Sequence, residues 1–207
     1  DVGEMYFLPV LMDAMAREAP GVTFEVVSVT QASLKEDMAS GRVDLALGLL
    51  PQLQAGFFQQ ALFRQSYVCL MRAGHPLAKA SVLSLQDFAA AEHVRVLAAG
   101  TGHGRVETAL ERQGVRRRVR LTVPHYVALG DVLGHSDLMA TVPERFAQRV
   151  MTPFGLTTRA LPVEVEGSAI HQFWHGRLHR DPGHQWLRVQ LAHLFGDHQP
   201  VADETPA

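Results

Sequence analysis

Apolar residues in this chain recur by turns at helical spacing and in short continuous runs, the alternation expected of an α/β protein. Pro9 suits the first turn of a helix, and Val10, Leu11, Ala14 and Met15 follow on one face until Pro20-Gly21. The run 23–30 is rich in β-branched residues and predicts a strand. Ser33-Leu34-Lys35-Glu36 has the form of a capping box, the serine accepting from the third helical amide and the glutamate reaching back. The helix it opens ends at Gly41, and residues 43–49 read as a buried parallel strand. Strand, helix and strand in that order imply a right-handed crossover.

After a loop holding Pro51 and Gly56, residues 57–63 and 66–71 are strand-like. Ser84 caps a short helix at 85–91, residues 94–99 form a strand, and a glycine-rich turn leads into a helix at 105–113 that Gly114 ends. Strand 119–123, helix 127–133, strand 138–142 and helix 144–150 complete a second series. The chain returns through strands 157–161 and 169–173 to a last helix, 182–195, with Trp186, Leu187, Leu191 and Leu194 on one face. Residues 199–207 carry proline, aspartate and glutamate without periodicity, the composition of a disordered tail. Two series with the chain crossing out and back predict two Rossmann-like lobes joined by two crossover segments. The crossings fall near 62–65 and 162–167, so residues 1–63 and 168–198 make lobe 1 and residues 64–167 make lobe 2.

Composition narrows the function. The 207 residues are 47% hydrophobic, enough for one large core or two small ones, and the net charge of −2 leaves no basic footprint for gripping nucleic acid. The densest basic run, Arg105 to Arg120, contains Arg116-Arg117-Arg118 but is interrupted by Glu107 and Glu111, and reads as a solvated helix end and strand edge. Cys69, the one cysteine, lies in the apolar run YVCLM as a small core residue, so no intramolecular disulfide is possible and a reduced, cytoplasmic setting is expected. No apolar run approaches the roughly 20 residues that span a bilayer. No signal peptide is visible at the start of the chain.

In open α/β sheets ligands bind where strands end and loops lead into helices. Four such loops carry suggestive residues. In 3–8, Phe7 serves either as an aromatic wall or as a packing staple. In Thr30-Gln31-Ala32-Ser33, capping explains Ser33, while Thr30 and Gln31 remain free to face a ligand. Gly100-Thr101-Gly102-His103-Gly104 exposes backbone N–H groups at the start of a helix, where negative charge is favoured, and reads either as a carboxylate or phosphate site or as a tight turn. Its spacing is neither a Rossmann fingerprint nor a P-loop. In Val123-Pro124-His125-Tyr126, His125 either donates to a carboxylate or satisfies a backbone group.

His171, His175 and His179, at steps of four, would line up on a helix, but the first stands in a strand-like run, Asp181-Pro182 breaks any helix beyond, and no metal is expected. No catalytic set can be assembled from spacing: there is no G-x-S-x-G, no H-E-x-x-H, and no cysteine at a helix start. The expectation is a two-lobed binder of a small molecule, with no cofactor and no enzymatic activity.

FWHGRLHRDPGHQWLR at 173–188, AAGTGHG at 98–104 and MYFLPVLMDAM at 5–15 together resemble the effector-binding domain of LysR-type transcriptional regulators. The nearest branch is that of nitroaromatic- and salicylate-responsive activators, with nodulation regulators more distant, and the resemblance runs from Asp1 to about Phe195. It implies the type 2 periplasmic-binding-protein fold. It also implies an inducer cavity lined by Thr101 and His103, a carboxylate held there, and Phe7, Leu8 and Phe173 over the ring. Gly100, Gln65, Thr30, Gln31, Pro124 and His125 complete the implied inducer-binding set, although Gln65-Ser66 departs from the salicylate-specific pattern. Trp174, Arg177, Asp181 and Trp186 match a structural C-terminal signature that holds the last helix to lobe 1. Family members also carry a strand, a linker helix and a winged helix-turn-helix before the segment matching Asp1. The chain is therefore expected to be an effector domain that pairs with itself through the helices at 9–18 and 127–133, reaching DNA only through the missing part. A free-standing solute-binding protein of the same fold is the main rival, and a small-molecule hydrolase using a cleft histidine a second.

Overall fold

The computed structural model describes residues 1–27, 31–97 and 104–197. Among these the chain forms two sheets, one for each lobe. Lobe 1 opens with α1 (Val2–Glu18), continues through α2 (Gln31–Ser40) and the short β1 (Ala46–Gly48), and enters β2 (Phe57–Gln65). Lobe 2 contains β3 (Tyr67–Arg72), α3 (Leu85–Ala90), β4 (Glu92–Val96), α4 (Gly104–Arg112), β5 (Arg118–Val123), α5 (Leu129–Gly134), β6 (Leu138–Pro143), α6 (Glu144–Phe154) and β7 (Leu156–Ala160). The chain returns to lobe 1 as β8 (Ser168–His175) and ends in α7 (Pro182–Phe195).

In lobe 1, β8 lies between β1 and β2 and is antiparallel to both. In lobe 2 the order is β5-β4-β6-β3-β7, with β4 parallel to β5 and β6, and β3 antiparallel to β6 and β7. Both faces of the lobe 2 sheet are covered at its centre, which is why β3 and β6 read as nearly continuous apolar runs while the edge strand β5 is largely exposed. Leu70, Val94, Ala140 and Val142 pack against Leu129, Leu133, Phe146 and Val150 of α5 and α6. Cys69, Met71 and Met139 pack on the other face with Phe88, Val106 and Leu110. Cys69 is fully buried, burial pushes its thiol up to about 12, and it is a core residue. Ser84 caps α3, its hydroxyl accepting from the Asp87 amide at 3.0 Å, as its position predicts.

Several expected elements form differently. The first helix begins at Val2, and Pro9 sits inside it. The proline forgoes one backbone hydrogen bond, and the helix is held on both sides of it by burial of Phe7, Leu11, Ala14 and Met15, while Val10 is exposed. Ser33 falls within the first turn of α2, which starts at Gln31, so it is not the cap; Leu34 and Met38, one turn apart, anchor that helix. Of the strand expected at 23–30, residues 23–27 join no ladder, with Val26 and Val27 exposed, and 28–30 lie outside the described residues. The expected parallel strand at 43–49 is reduced to β1, which pairs antiparallel with β8 and, among the described residues, with no parallel neighbour. Arg117 is not solvated: its buried guanidinium pairs with Glu107 beneath α4. The expected tail at 199–207 and the end of the strand at 94–99 lie outside the described residues.

The C-terminal signature performs the anchoring expected of it. The Asp181 carboxylate caps α7, accepting from the His184 amide at 2.7 Å. Arg177 donates to the Met38 carbonyl and reaches Asp44 of lobe 1 at 3.4 Å. The Arg188 guanidinium lies 4.3 Å over the Trp174 ring and donates to the Leu178 and His179 carbonyls. His175 accepts from the Arg177 amide at a turn, and His171 has a ring nitrogen 3.2 Å from the Ala169 carbonyl. Among the described residues no group of three or more histidine, cysteine or carboxylate side chains is placed to hold a metal, and no helix is long and apolar enough to cross a membrane.

His93 is fully buried, with Nε2 2.7 Å from the Phe88 carbonyl, and burial lowers its pKa to about 4. Burial also lowers that of His184. The unfolded chain therefore binds protons that the native state refuses, and stability falls as pH drops from about 6.5 toward 4, by on the order of 3 kcal/mol for His93. Chemical denaturation across that window should show this loss, and His93→Gln should flatten the slope.

Candidate functional site

The register of lobe 2 brings the carboxyl ends of its parallel strands to one edge. Tyr67 pairs with Pro143, Val94 with Ala140, and Val96 with Val123. The carboxyl ends of β4, β5 and β6 thus lie together, beside the point where the chain enters β3 from lobe 1. Ser66 is the one residue between β2 and β3, and Gln65 pairs with Ser168 across the returning crossing. That edge faces lobe 1. The Asp1 carboxylate accepts from the backbone N–H groups of Tyr126 and Val127, the latter at 3.0 Å, and Val2 and Met5 pack on the lobe 2 core.

The candidate residues divide accordingly. Pro124 and His125 are exposed in the loop after β5, next to the amides that Asp1 holds. Leu8 is half-buried, two turns beyond Asp1 and so on nearly the same face of α1, about 10 Å further along. Gln65 is half-buried at the crossing, its amide donating to the Ser66 carbonyl at 2.8 Å. Pro124 and His125 thus lie beside an interlobe contact, Gln65 at the crossing and Leu8 on α1. Phe7 and Phe173 have other work. Phe7 is 7% exposed and packs edge-on against Phe195 at 4.8 Å, within a cluster that includes Tyr6 and Phe63. Phe173 is 3% exposed and fills a separate core with Leu34, Met38 and Leu53. Their burial follows from neighbouring core positions, and both are core rings in this arrangement. Gln31 opens α2; Thr30, Gly100, Thr101 and His103 lie outside the described residues.

Sequence reasoning missed the polar groups that join the lobes. Arg145, second residue of α6, donates to the Tyr6 hydroxyl and to Asp197 at 2.7 Å, and stacks 3.9 Å from the Phe63 ring. The Ser66 hydroxyl donates to the Glu144 carboxylate, and the Ser66 carbonyl accepts from the Glu144 amide at 3.0 Å. Tyr126 is buried, which raises its phenol pKa, with a further rise from Tyr67. One signal was available: a cation in the first turn of a helix opposes the helix dipole, so Arg145 needed a partner elsewhere. A groove of about 260 Å³ along α4, lined by Arg95, Glu107, Leu110, Arg116, Arg117 and Val119, belongs to lobe 2 alone.

Two α/β lobes joined by two adjacent crossings, with the carboxyl ends of β4, β5 and β6 on the edge that faces lobe 1, define a periplasmic-binding-protein-like ligand-binding module. Residues 2–196 match the model of the LysR substrate binding domain, and the chain belongs to that family. It is 53% identical over 197 residues to the transcriptional activator NagR of a Ralstonia species and 47% identical to the transcriptional activator NahR of Pseudomonas putida. Each alignment covers 95% of this chain and 65% of the relative, so the chain spans just under two thirds of those curated relatives. The regulatory domain of MexT, a transcriptional activator in Pseudomonas aeruginosa, superposes with a TM-score of 0.81 at 29% identity, covering 94% of this chain and 96% of that one. An OxyR mutant from Corynebacterium glutamicum, at 18% identity, shares the fold with a TM-score of 0.72 over 94% of this chain and 61% of its own. NagR, NahR and MexT are each named as transcriptional activators.

Because Phe173 fills a core, Phe173→Ala should cost about 3–5 kcal/mol of stability. Phe173→Leu, which keeps the space filled, should cost far less and leave small-molecule binding unchanged. Urea denaturation with calorimetry on both variants checks this; selective loss of ligand affinity in Phe173→Leu would return the ring to the site.

Proposed function

We propose that the chain is the inducer-sensing domain of a LysR-type transcriptional activator and that a small aromatic carboxylate of the salicylate type binds between its lobes. The observation that carries the reading is the convergence of the β4, β5 and β6 ends on the edge that faces α1 and the Gln65 crossing. Identity of 53% and 47% to two transcriptional activators, along nearly the whole chain, supports the regulatory role. In this reading His125, Pro124, Gln65 and Leu8 border the ligand. Thr101, His103 and the Gly100 backbone hold its carboxylate, and Thr30 and Gln31 close the lobe 1 side, on sequence grounds alone. Inducer binding favours one lobe arrangement and so biases attached DNA-binding domains toward transcription of aromatic-catabolism-type genes; only a difference in affinity between the two states can drive the shift.

Calorimetry tests the assignment. Salicylate should bind saturably and much more tightly than benzyl alcohol, which has the ring without the charge. His103→Ala should weaken binding by about 1–3 kcal/mol, the value of a hydrogen bond to a charged oxygen. Equal affinity for the two ligands would remove the carboxylate argument, and no binding by any aromatic acid would remove the effector assignment.

The partners follow from the same reading. A cytoplasmic homodimer is expected, assembling to a tetramer in the full-length protein, with α1 of one copy against the 127–133 segment of the other. Val10, Met12 and Val127 are exposed on those surfaces. DNA is reached through a helix-turn-helix outside residues 1–207, in keeping with the HTH-type designation of relatives half as long again. Light scattering should give a dimer burying more than about 1,000 Å²; a monomer at tens of micromolar would count against this surface.

A further inference from the structure

Among the described residues, every hydrogen bond and ring contact of the Arg145 guanidinium crosses from lobe 2 to lobe 1. It meets the Tyr6 hydroxyl on α1, the faces of Phe63 on β2 and Tyr6, and the Asp197 carboxylate beyond α7. Asp197 is itself fastened to β2. Its second carboxylate oxygen accepts from the Arg64 amide at 3.1 Å, and its own amide donates to the Leu62 carbonyl at 2.7 Å. The aromatic floor is rigid, since Phe63, Phe7 and Phe195 are buried against one another and against Tyr6. Arg145 follows Glu144, which holds Ser66, the single residue between β2 and β3. A rotation of lobe 2 about Ser66 carries Arg145 away from all three lobe 1 elements at once.

We propose that Arg145 is an interlobe latch: its bonds to Asp197 and Tyr6 and its stacking on Phe63 hold the lobes at the angle that brings the loop after β5 against α1. The guanidinium suits this task because its planar fork bonds two partners while its face lies on a ring. A lysine has the charge without the fork or the face. Half-exposed ion pairs contribute little by themselves, so the hold comes from charge, hydroxyl and ring acting on one group. Releasing it leaves each lobe's core intact and changes only the angle. A ligand that must touch both lobes then binds a state that is no longer pre-arranged, and its affinity falls in proportion to the population lost. The latch itself does not depend on the ligand; the effect on affinity rests on the proposed cleft.

The test is an interlobe distance measured by electron–electron double resonance, with spin labels at Lys35→Cys on α2 and Glu111→Cys on α4, both exposed. Cys69 is fully buried and stays unlabelled. Without ligand, Arg145→Met should move and broaden the distribution toward longer distances, Asp197→Asn and Tyr6→Phe should do so less, and Arg145→Lys should fail to restore it. Arg149→Met, an exposed arginine on the same helix, should match the unsubstituted protein. Salicylate affinity should fall roughly fivefold or more in Arg145→Met. A distribution for Arg145→Met that superimposes on the unsubstituted one overturns the latch. If Arg145→Met does not fold, Asp197→Asn and Tyr6→Phe decide by the same criterion. If the unsubstituted protein binds no salicylate, the cleft reading fails and the distances still decide the latch.

Discussion

Lobe 2 is attached to the rest of the molecule by two strands of chain, and the antiparallel ladder between β2 and β8 holds them side by side. Gln65 pairs with Ser168 at its end, and the approach at Gly167 is so close that a Cβ there would lie 2.9 Å from the Gln65 carbonyl oxygen. In the proposed motion, two adjacent strands serve as a hinge with one dominant axis. They fix where lobe 2 begins and leave its angle to side chains. The ladder also explains why β2 runs on to Gln65, past the point where its apolar pattern ends at Phe63: hydrogen bonding to β8 carries it.

Given that hinge, the parallel core of lobe 2 does the rest. Parallel strands share a carboxyl edge, and here that edge abuts the hinge because β3 enters antiparallel to β6. Of the loops that the sequence marks as chemically interesting, the turn after β5 therefore faces lobe 1, where the Asp1 carboxylate meets its amides. Polar contacts then set the angle: Asp1 on the Tyr126 and Val127 amides, Glu144 on Ser66, and Arg145 on Tyr6, Phe63 and Asp197.

Much of this was legible in the residues. The lobe 2 strands and helices follow apolar runs and caps that a buried sheet demands, and the strings at 173–188, 98–104 and 5–15 together carry the family resemblance, the first of them also the anchoring of α7. Three kinds of feature were not legible. Strand pairing depends on neighbours distant in sequence, so the segment at 23–27, β-rich as it is, joins no ladder, and β1 pairs antiparallel. Aromatic residues look alike in a core and in a binding wall: position alone leaves Phe7 as either, the family resemblance implies a ring cover for Phe7 and Phe173, and both rings lie buried in cores. Long-range polar pairs leave no period: the place of Arg145 in the first turn of a helix signals a need for a partner without naming it, and Arg117 sits in a basic run that hides its pairing with half-buried Glu107.

The central claim is that a small aromatic carboxylate occupies the space between two hinged lobes. A crystal structure grown with salicylate examines it most directly. The account predicts ligand density touching residues of both lobes, with Gln65, the 124–125 loop or α1 among its contacts. Density confined to one lobe, such as the groove along α4, with the interlobe space unoccupied, would contradict it.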